Sequence, residues 1–203
     1  MRTKDEALET RRRKEILEAA ARCFIEKGVH QTTIRDVCAA AELSAGALYH
    51  YFPSKADIVL ALADAEYAEL RLLTARLEAA PELLSGVREL ICTVIGRVAD
   101  PSYGRLLLEI ASEAARNPAV LARLNEQEEA LQQAMRGLIR KGQKSGQLDK
   151  NLNPDAVVHI VSALVDGLTF RAAFEPGFNP TKLEKTVWMM LERLLLGDRA
   201  GRP

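Results

Sequence analysis

Aromatic side chains, cysteines and uninterrupted apolar runs are scarce in this chain of 203 residues; aromatics make up 5% and cysteines number three. The longest apolar segment, AVVHIVSALVDGLTFRAAF, is interrupted by His159, Asp166 and Arg171. These interruptions favour a buried helix over a membrane span. No apolar stretch follows the charged N-terminus, so the sequence predicts no signal peptide, no membrane partner and a cytoplasmic protein.

Motifs of catalysis and metal binding are missing as well. Cys23, Cys38 and Cys92 lie far apart among apolar helical neighbours, which is typical of buried thiols. None of the three histidines follows a glutamate three residues earlier, as the ligands of a di-iron bundle would. A phosphate-binding glycine loop, a nucleophile elbow and a His-Glu-x-x-His motif do not occur. We therefore expect no enzyme, no catalytic residue, no cofactor and no metal.

The net charge is zero, but the N-terminal arm is basic. Its first 14 residues hold six cations and three acids, namely Arg2, Lys4, Arg11, Arg12, Arg13 and Lys14 against Asp5, Glu6 and Glu9. Such a local excess attracts nucleic acid within a Debye length of about 10 Å, whatever the average charge. The alternative is a solvated helix face with Glu9–Arg13 and Glu18–Arg22 ion pairs at i,i+4 spacing.

Helix-forming residues dominate what is present, and the period-two alternation of β-strands is absent. Gly28 is expected to end a first helix, because glycine is frequent just past helix C-termini. Short helices are predicted after the caps Thr33 and Ser44, the first with a capping-box pattern. A long helix is predicted from Ser54 to about residue 80.

Prolines and glycines divide the remainder of the chain. They predict helices near residues 82–99, 102–116, 118–145, 154–174 and 181–196. The expected fold class is therefore all-α with about nine helices. Residues 1–54 form an N-terminal three-helix domain in this interpretation, and residues 55–203 form a larger helical domain that the helix from Ser54 joins to it.

An aromatic cluster follows a run of small residues in LSAGALYHYFPSK, residues 43–55. Two short helices joined by a tight turn indicate a helix-turn-helix motif, whose second helix lies in the DNA major groove. A helical wheel separates two faces: Leu48, Tyr51 and Phe52 pack inward, whereas Ala45, Gly46 and Tyr49 lie outward. Small residues allow close approach to DNA, and Tyr49 can stack on or bond to a base. The alternative is a purely structural helical hairpin.

The stretch TTIRDVCAAAELSAGALYHYFPSKADIVLAL, preceded by RRRKEILEAAARCFIEKGVH, closely resembles the DNA-binding domain of the TetR family of bacterial transcriptional repressors. The resemblance covers roughly Arg11 to Leu62; the later helices match only in architecture. It implies that the bases of double-stranded DNA are faced by Arg35, Ala45, Gly46 and Tyr49. It places near the DNA backbone Thr33, Ser44, Ala47, His50 and Lys55.

Two positions depart from the family pattern. The turn commonly has glycine where this chain has Glu42, which costs about 1–2 kcal/mol if the backbone there is left-handed. Many relatives have a cation at the position of Ala45. Its absence removes one DNA contact, so the operator sequence cannot be carried over from a relative.

The last two helices are apolar over more than one face, which predicts that they bury against a second chain. Helix-turn-helix proteins read two half-sites about 34–36 Å apart as dimers, and a four-helix bundle from two chains would cover both faces. The resemblance implies the same homodimer. Its predicted interface consists of Val161, Leu164, Val165, Leu168, Val187, Trp188, Leu191 and Leu194. The alternative is a pair of central core helices in a monomer.

The resemblance also implies that the helices between residues 54 and 145 enclose a small, hydrophobic effector. The sequence signal for its contacts is weak, because each candidate can equally belong to the core or the surface. The candidates are Thr74, Tyr103, Glu113, Met135 and His159.

The predicted function is that of a ligand-responsive repressor. It would bind a palindromic operator as a dimer and leave it through a population shift carried by the long helix after Ser54. Two alternatives stay open: an activator of the same family, and a helical protein-binding adaptor whose helix-turn-helix is structural.

Overall fold

A computed structural model describes residues 2–80 and 82–197, and the side chains of residues 7–78, 80 and 82–197. The predicted basic arm therefore lies partly outside the described residues, at the side chains of Arg2, Lys4, Asp5 and Glu6. The described helices are α1 Arg2–Lys27, α2 Ile34–Ala40, α3 Ala45–Tyr51, α4 Lys55–Ala79, α5 Leu83–Val98, α6 Pro101–Ala114, α7 Pro118–Lys144, α8 Pro154–Phe174, a 3₁₀ helix Pro180–Leu183 and α9 Glu184–Leu196. Over the described ranges this confirms the all-α class, and the predicted helix boundaries agree to within three residues; the largest difference is at the last helix, which a 3₁₀ helix precedes.

The predicted caps account for where the N-terminal helices begin and end. The Thr33 hydroxyl accepts a hydrogen bond from the Asp36 amide at 3.2 Å, and the Asp36 carboxylate accepts from the Thr33 amide at 2.8 Å, which completes a capping box. The Ser44 hydroxyl accepts from the Ala47 amide at 3.2 Å and starts α3. At the end of α1, Gly28 has a left-handed φ of 80° and donates its amide to Phe24.

The turn between α2 and α3 is a Schellman motif closed by a residue other than glycine. The Leu43 amide donates to the Cys38 carbonyl at 3.0 Å, and the Glu42 amide donates to the Ala39 carbonyl at 3.4 Å. Glu42 has a φ of 55°. Glu42 therefore has the left-handed backbone for which strain is expected.

The described residues pack as two compact units. The first contains the chain up to Glu66 together with Arg105–Glu126. Its single apolar core joins α1, α2, α3, the start of α4, and parts of α6 and α7. Phe24, Val37, Leu48, Phe52 and Val120 are completely buried in this core. The three N-terminal helices α1, α2 and α3 thus share one core with residues from much later in the sequence.

The second unit contains Tyr67–Gly104 and the chain from Gln127 onward. It has two apolar clusters, one centred on Leu148 and Val158 and the other on Ile95, Val98 and Leu191. Helices α4, α6 and α7 contribute residues to both units. The predicted division into residues 1–54 and 55–203 stays a prediction.

Candidate nucleic-acid interface

Helix α3 divides its side chains between the core and the surface as the sequence predicts. Leu48 and Phe52 are fully buried, whereas the Tyr49 side chain is 49% exposed. Ala45, Gly46 and His50 are also exposed, and the space around the Gly46 Cα is open. The buried side chains hold one face of α3 against the core. The opposite face carries the very small residues Ala45 and Gly46 beside Tyr49. That is a surface on which a helix can approach a DNA groove closely.

Arg13 of the basic arm contacts the C-terminal end of α3. The Arg13 guanidinium lies 4.2 Å from the centroid of the Phe52 ring and donates to the Tyr51 carbonyl at 3.0 Å. It therefore holds the last turn of α3, which has lost its helical hydrogen-bond partners. Arg22 donates to the Ala40 carbonyl at 3.5 Å. These contacts take the place of the Glu9–Arg13 and Glu18–Arg22 pairs that i,i+4 spacing suggests.

The start of α2 is fixed by an ion pair as well as by its cap. The Lys27 ammonium group lies 2.6 Å from an Asp36 carboxylate oxygen. This bond, with two further hydrogen bonds from Thr33, holds the pKa of Asp36 well below its usual range. The same bond raises the pKa of Lys27. Thr33 and Arg35 are exposed at this anchored turn. The Thr33 hydroxyl is already bonded to the Asp36 carboxylate and amide.

Lys55 has contacts that the sequence did not indicate. Its ammonium group donates to the carbonyls of Val29 at 2.6 Å, Thr32 at 3.0 Å and His30 at 3.4 Å. An ammonium group has three donors, so the loop between α1 and α2 can occupy all of them. The predicted phosphate contact of Lys55 competes with these carbonyls.

Sequence comparison agrees with this reading surface. A profile described as "Bacterial regulatory proteins, tetR family" matches residues 16–62. A second, "BetI-type transcriptional repressor, C-terminal", matches residues 87–196, which is more than half of the chain. The chain belongs to the TetR family. The resemblance noted in the sequence is confirmed, and it extends into the helices that had seemed to match only in architecture.

Relatives of known class align along most of this TetR-family chain. A probable HTH-type transcriptional regulator, ArpR of Pseudomonas putida, is 31% identical over 180 residues, covering 84% of this chain and 83% of its own length. The HTH-type transcriptional regulator UidR of Escherichia coli K12 is 30% identical over 169 residues, covering 81% and 80%. The solved structure of Salmonella enterica GusR matches with a TM-score of 0.75 at 25% identity, covering 91% of this chain and 95% of that one.

Four of the five candidate effector contacts lie in the second unit of this TetR-family chain, and Glu113 lies in the first. Thr74 is buried and donates its hydroxyl to the Leu70 carbonyl. Tyr103 is half-buried, with the Arg97 guanidinium 4.9 Å from its ring centroid. Met135 packs against the Leu148 cluster, whereas His159 is exposed on α8. Their role as effector contacts stays a prediction.

A polar network in the second unit was missed by sequence reasoning. The Tyr67 hydroxyl donates to the Glu128 carboxylate at 3.3 Å, and Gln132 donates to the same carboxylate at 2.8 Å. Burial and the Glu128 charge raise the pKa of Tyr67, so its phenol stays protonated. Beside it, Arg71 donates to the side chain of Gln127, which is only 6% exposed. Tyr67 and Glu128 are 61 residues apart, and Arg71 and Gln127 are 56 apart, so no local pattern pairs them.

The predicted interface residues on α8 and α9 are mostly turned toward the chain's own core. Leu168, Val187 and Leu191 are buried in the second cluster of their unit. Val161, Leu164, Val165, Trp188 and Leu194 are half-buried. An exposed apolar stripe lies elsewhere on α8, and it consists of Ile160, Ala163, Gly167, Phe170 and Phe174. We call it the α8 seam; its three- and four-residue spacing was visible in the sequence.

A groove runs beside the α8 seam. Its volume is about 330 Å³, and Ala163, Leu164, Gly167, Leu168, Arg171, Glu175, Phe178 and Leu183 line it. No atom lies within 4 Å of where a Gly167 side chain would begin, so the floor of the groove is open. Phe170 and Phe174 stand beside it, with ring centroids 4.9 Å apart. A bulky apolar side chain from another molecule could enter here.

The described residues form no candidate metal site. Within residues 2–80 and 82–197, no three His, Cys, Asp or Glu side chains gather as metal ligands do. Cys23 and Cys38 are buried, and burial raises the pKa of both thiols. They pack as small apolar residues.

Proposed function

We propose that this TetR-family chain is a repressor that binds a palindromic DNA operator as a homodimer. The observation that carries the proposal is the exposed face of Ala45, Gly46 and Tyr49 on a helix whose opposite face is fully buried. A helix whose outward residues are small can approach base edges closely, and a tyrosine beside them can contact a base. The matched profile described as a BetI-type transcriptional repressor supports repression.

The dimer is formed, in this proposal, by the α8 seam. Two of its five residues are large aromatics, Phe170 at 56% and Phe174 at 61% exposed. On α9, Met189 and Met190 are 43% and 55% exposed. Large exposed apolar side chains on these two consecutive helices suit a protein interface. A two-fold axis would pair the seam with itself, and the open floor at Gly167 would receive an aromatic ring from the partner.

The same contact explains why α8 is so apolar. Among the helices of residues 2–80 and 82–197, α8 is the one that is long and apolar enough to cross a membrane by length and composition alone. Only 33% of its most apolar window is buried within the chain. A second copy on the seam would cover the rest, so the proposal needs no membrane and keeps the protein cytoplasmic. It also needs no metal, cofactor or catalytic step.

The effector site belongs to the second unit in this proposal. Its helices combine apolar clusters with the partly buried Tyr67–Glu128 and Arg71–Gln127 pairs. A pocket that is mostly apolar with a few fixed polar groups suits a small, hydrophobic effector. Bound effector would favour a conformation with weaker operator affinity, and operator would in turn weaken effector binding.

The test is selection of bound fragments from sheared genomic DNA of the source organism by purified protein at moderate salt. Enrichment of an inverted repeat supports the dimeric operator reader, and reporter transcription from that fragment separates repression from activation. Protein refolded free of small molecules provides the matched control, since a copurified effector would hold the protein off DNA. If refolded protein also enriches no sequence, the helix-turn-helix is structural and the proposal fails.

A further inference from the structure

The segment from Gly28 to Thr33 connects α1 to α2, and polar groups from three sides hold it. The Thr32 hydroxyl donates to the Gly28 carbonyl at 2.8 Å, inside the segment. Lys55 of α4 donates to the Val29 carbonyl at 2.6 Å. From α6, the Glu109 carboxylate accepts a hydrogen bond from the Val29 amide at 2.7 Å. The two peptide groups at Val29, a residue 2% exposed, are thus held by two different helices.

The Glu109 carboxylate lies close to Gly28 as well as to Val29. A Cβ at Gly28 would lie 3.2 Å from the nearer carboxylate oxygen, so the glycine makes room for the contact. Gly28 has a left-handed φ of 80° as well. A hydrogen bond in which one partner is ionised is short and stronger than a neutral one. The bond between Glu109 and Val29 therefore adds a charged acceptor from α6 to a loop that Lys55 and Thr32 also hold.

The position of this loop decides where α2 begins. Thr33, the N-cap of α2, follows the held residues directly, and Asp36 in the first turn pairs with Lys27 at the end of α1. Val37 of α2 and Leu48 of α3 are buried in one core, so a displacement at the start of α2 is passed on to α3. Glu109 itself lies outside residues 16–62, which match the family's DNA-binding profile.

We propose that Glu109 is a positioning residue for DNA recognition. It acts through Val29: its carboxylate sets the loop before α2, and thereby the angle at which the exposed face of α3 meets a groove. In this proposal, a side chain from α6 completes the DNA-binding part that α1, α2 and α3 form. This inference rests on the proposed operator binding.

The experiment compares full-length variants on the selected operator and on a scrambled fragment of equal length. Glu109→Met removes the acceptor, and Glu109→Gln keeps an oxygen at the same reach. Glu109→Asp keeps the charge but shortens the reach by one methylene. Ile110→Val is the matched control, because Ile110 is the neighbouring residue on α6, is 3% exposed, and loses only core packing. Binding is measured at one salt concentration, well below each variant's Tm.

Glu109→Met is expected to weaken operator binding by about tenfold or more, since a hydrogen bond to a charged group is lost at a buried amide. Binding to the scrambled fragment should stay within about twofold, because binding without sequence preference rests on charge attraction to the phosphates, and Glu109→Met removes no cation. Glu109→Gln should restore most of the operator preference. If Glu109→Met does not fold, Glu109→Asp must lose preference and Glu109→Gln must keep it.

Three results would overturn the inference. In the first, Glu109→Met keeps its operator preference at the level of Ile110→Val. In the second, Glu109→Gln loses preference while Glu109→Asp keeps it, which would assign the effect to charge and not to the bond with Val29. In the third, the wild type binds operator and scrambled DNA alike. Only this last result removes the proposed function as well.

Discussion

At the scale of single residues, a lysine near DNA does not have to contact a phosphate. Lys55 lies one turn after the reading helix and carries a charge, yet its ammonium group is surrounded by three backbone carbonyls. Those carbonyls belong to a loop that has left the helical hydrogen-bond pattern of α1, so they need donors. The Lys55 ammonium group thus stabilises the loop between α1 and α2.

Replacement of Lys55 by methionine should therefore lower the thermal stability. The loss of hydrogen bonds from a charged donor to partly buried carbonyls corresponds to about 1–3 kcal/mol of unfolding free energy. If the three carbonyls occupy the ammonium group and keep it from a phosphate, the slope of log affinity against log salt concentration should stay at the wild-type value. Arg35→Ala serves as the comparison, since an exposed cation on α2 should change the slope by about one if it meets a phosphate. An unchanged Tm for Lys55→Met would contradict this account.

Tyr49 is the residue on which base reading should depend most directly in the proposed complex. Tyr49→Ala should weaken operator binding by about tenfold to a hundredfold and relax preference at one or two base pairs of each half-site. Tyr49→Phe separates stacking from the hydroxyl, since it keeps the ring. The control is Leu121→Ala, an apolar residue on α7 with a similar exposure of 44%. Equal operator affinity of Tyr49→Ala and the control would show that this face does not enter a groove.

At the scale of whole elements, the turn between α2 and α3 contains a removable strain. Glu42 occupies the left-handed position of a Schellman motif, where glycine has no steric cost. Glu42→Gly should raise the unfolding free energy by about 1 kcal/mol, seen as a higher Tm. The contrasting variant is Glu42→Ala, which keeps a Cβ at the left-handed position and should gain nothing. A lower Tm for the glycine variant would mean that flexibility in the unfolded chain outweighs the strain.

The start of α2 should lose stability in acid, because it depends on the ionised carboxylate of Asp36. A carboxyl group whose pKa is lowered by folding stabilises the folded state above its unfolded pKa of about 3.9. That contribution disappears as the pH falls through the lower folded pKa. Asp36→Asn should therefore have a Tm several degrees below the wild type from pH 7 to pH 5, and the two should converge toward pH 2. Glu26→Gln, an exposed change beside Lys27, should show no such convergence.

Helix existence and boundaries could be predicted from the sequence because their causes are local. The capping box of Thr33 and Asp36, the stop at Gly28 and the N-cap Asn153 each act within one helical turn. The contacts of Glu109 with Val29 and of Tyr67 with Glu128 span 80 and 61 residues. Periodicity carries no information on such partners, since it shows that a face is apolar and not what covers it. For that reason Leu168 and Leu191 were predicted at an interface although the chain itself buries them.

At the scale of the whole molecule, the α8 seam is the test of assembly. Phe170→Asp should raise the dimer dissociation constant by about a hundredfold or more, because a charge would enter an apolar interface. Sedimentation velocity over a range of protein concentrations measures this directly. Leu72→Asp is the matched control, since Leu72 is 62% exposed and lies on α4 outside the seam. If both variants sediment like the wild type, the α8 seam is not a dimer interface.

The exposed phenylalanines of α8 also imply how such a regulator would respond to its own abundance. If only the paired chain reads an operator, occupancy at low copy number rises with the square of the number of chains, since two must meet first. A cell that dilutes the protein twofold by growth would then lose about fourfold in bound complex. The seam would thus make the switch sensitive to the rate at which the chain is synthesised, in addition to any molecule that the second unit binds.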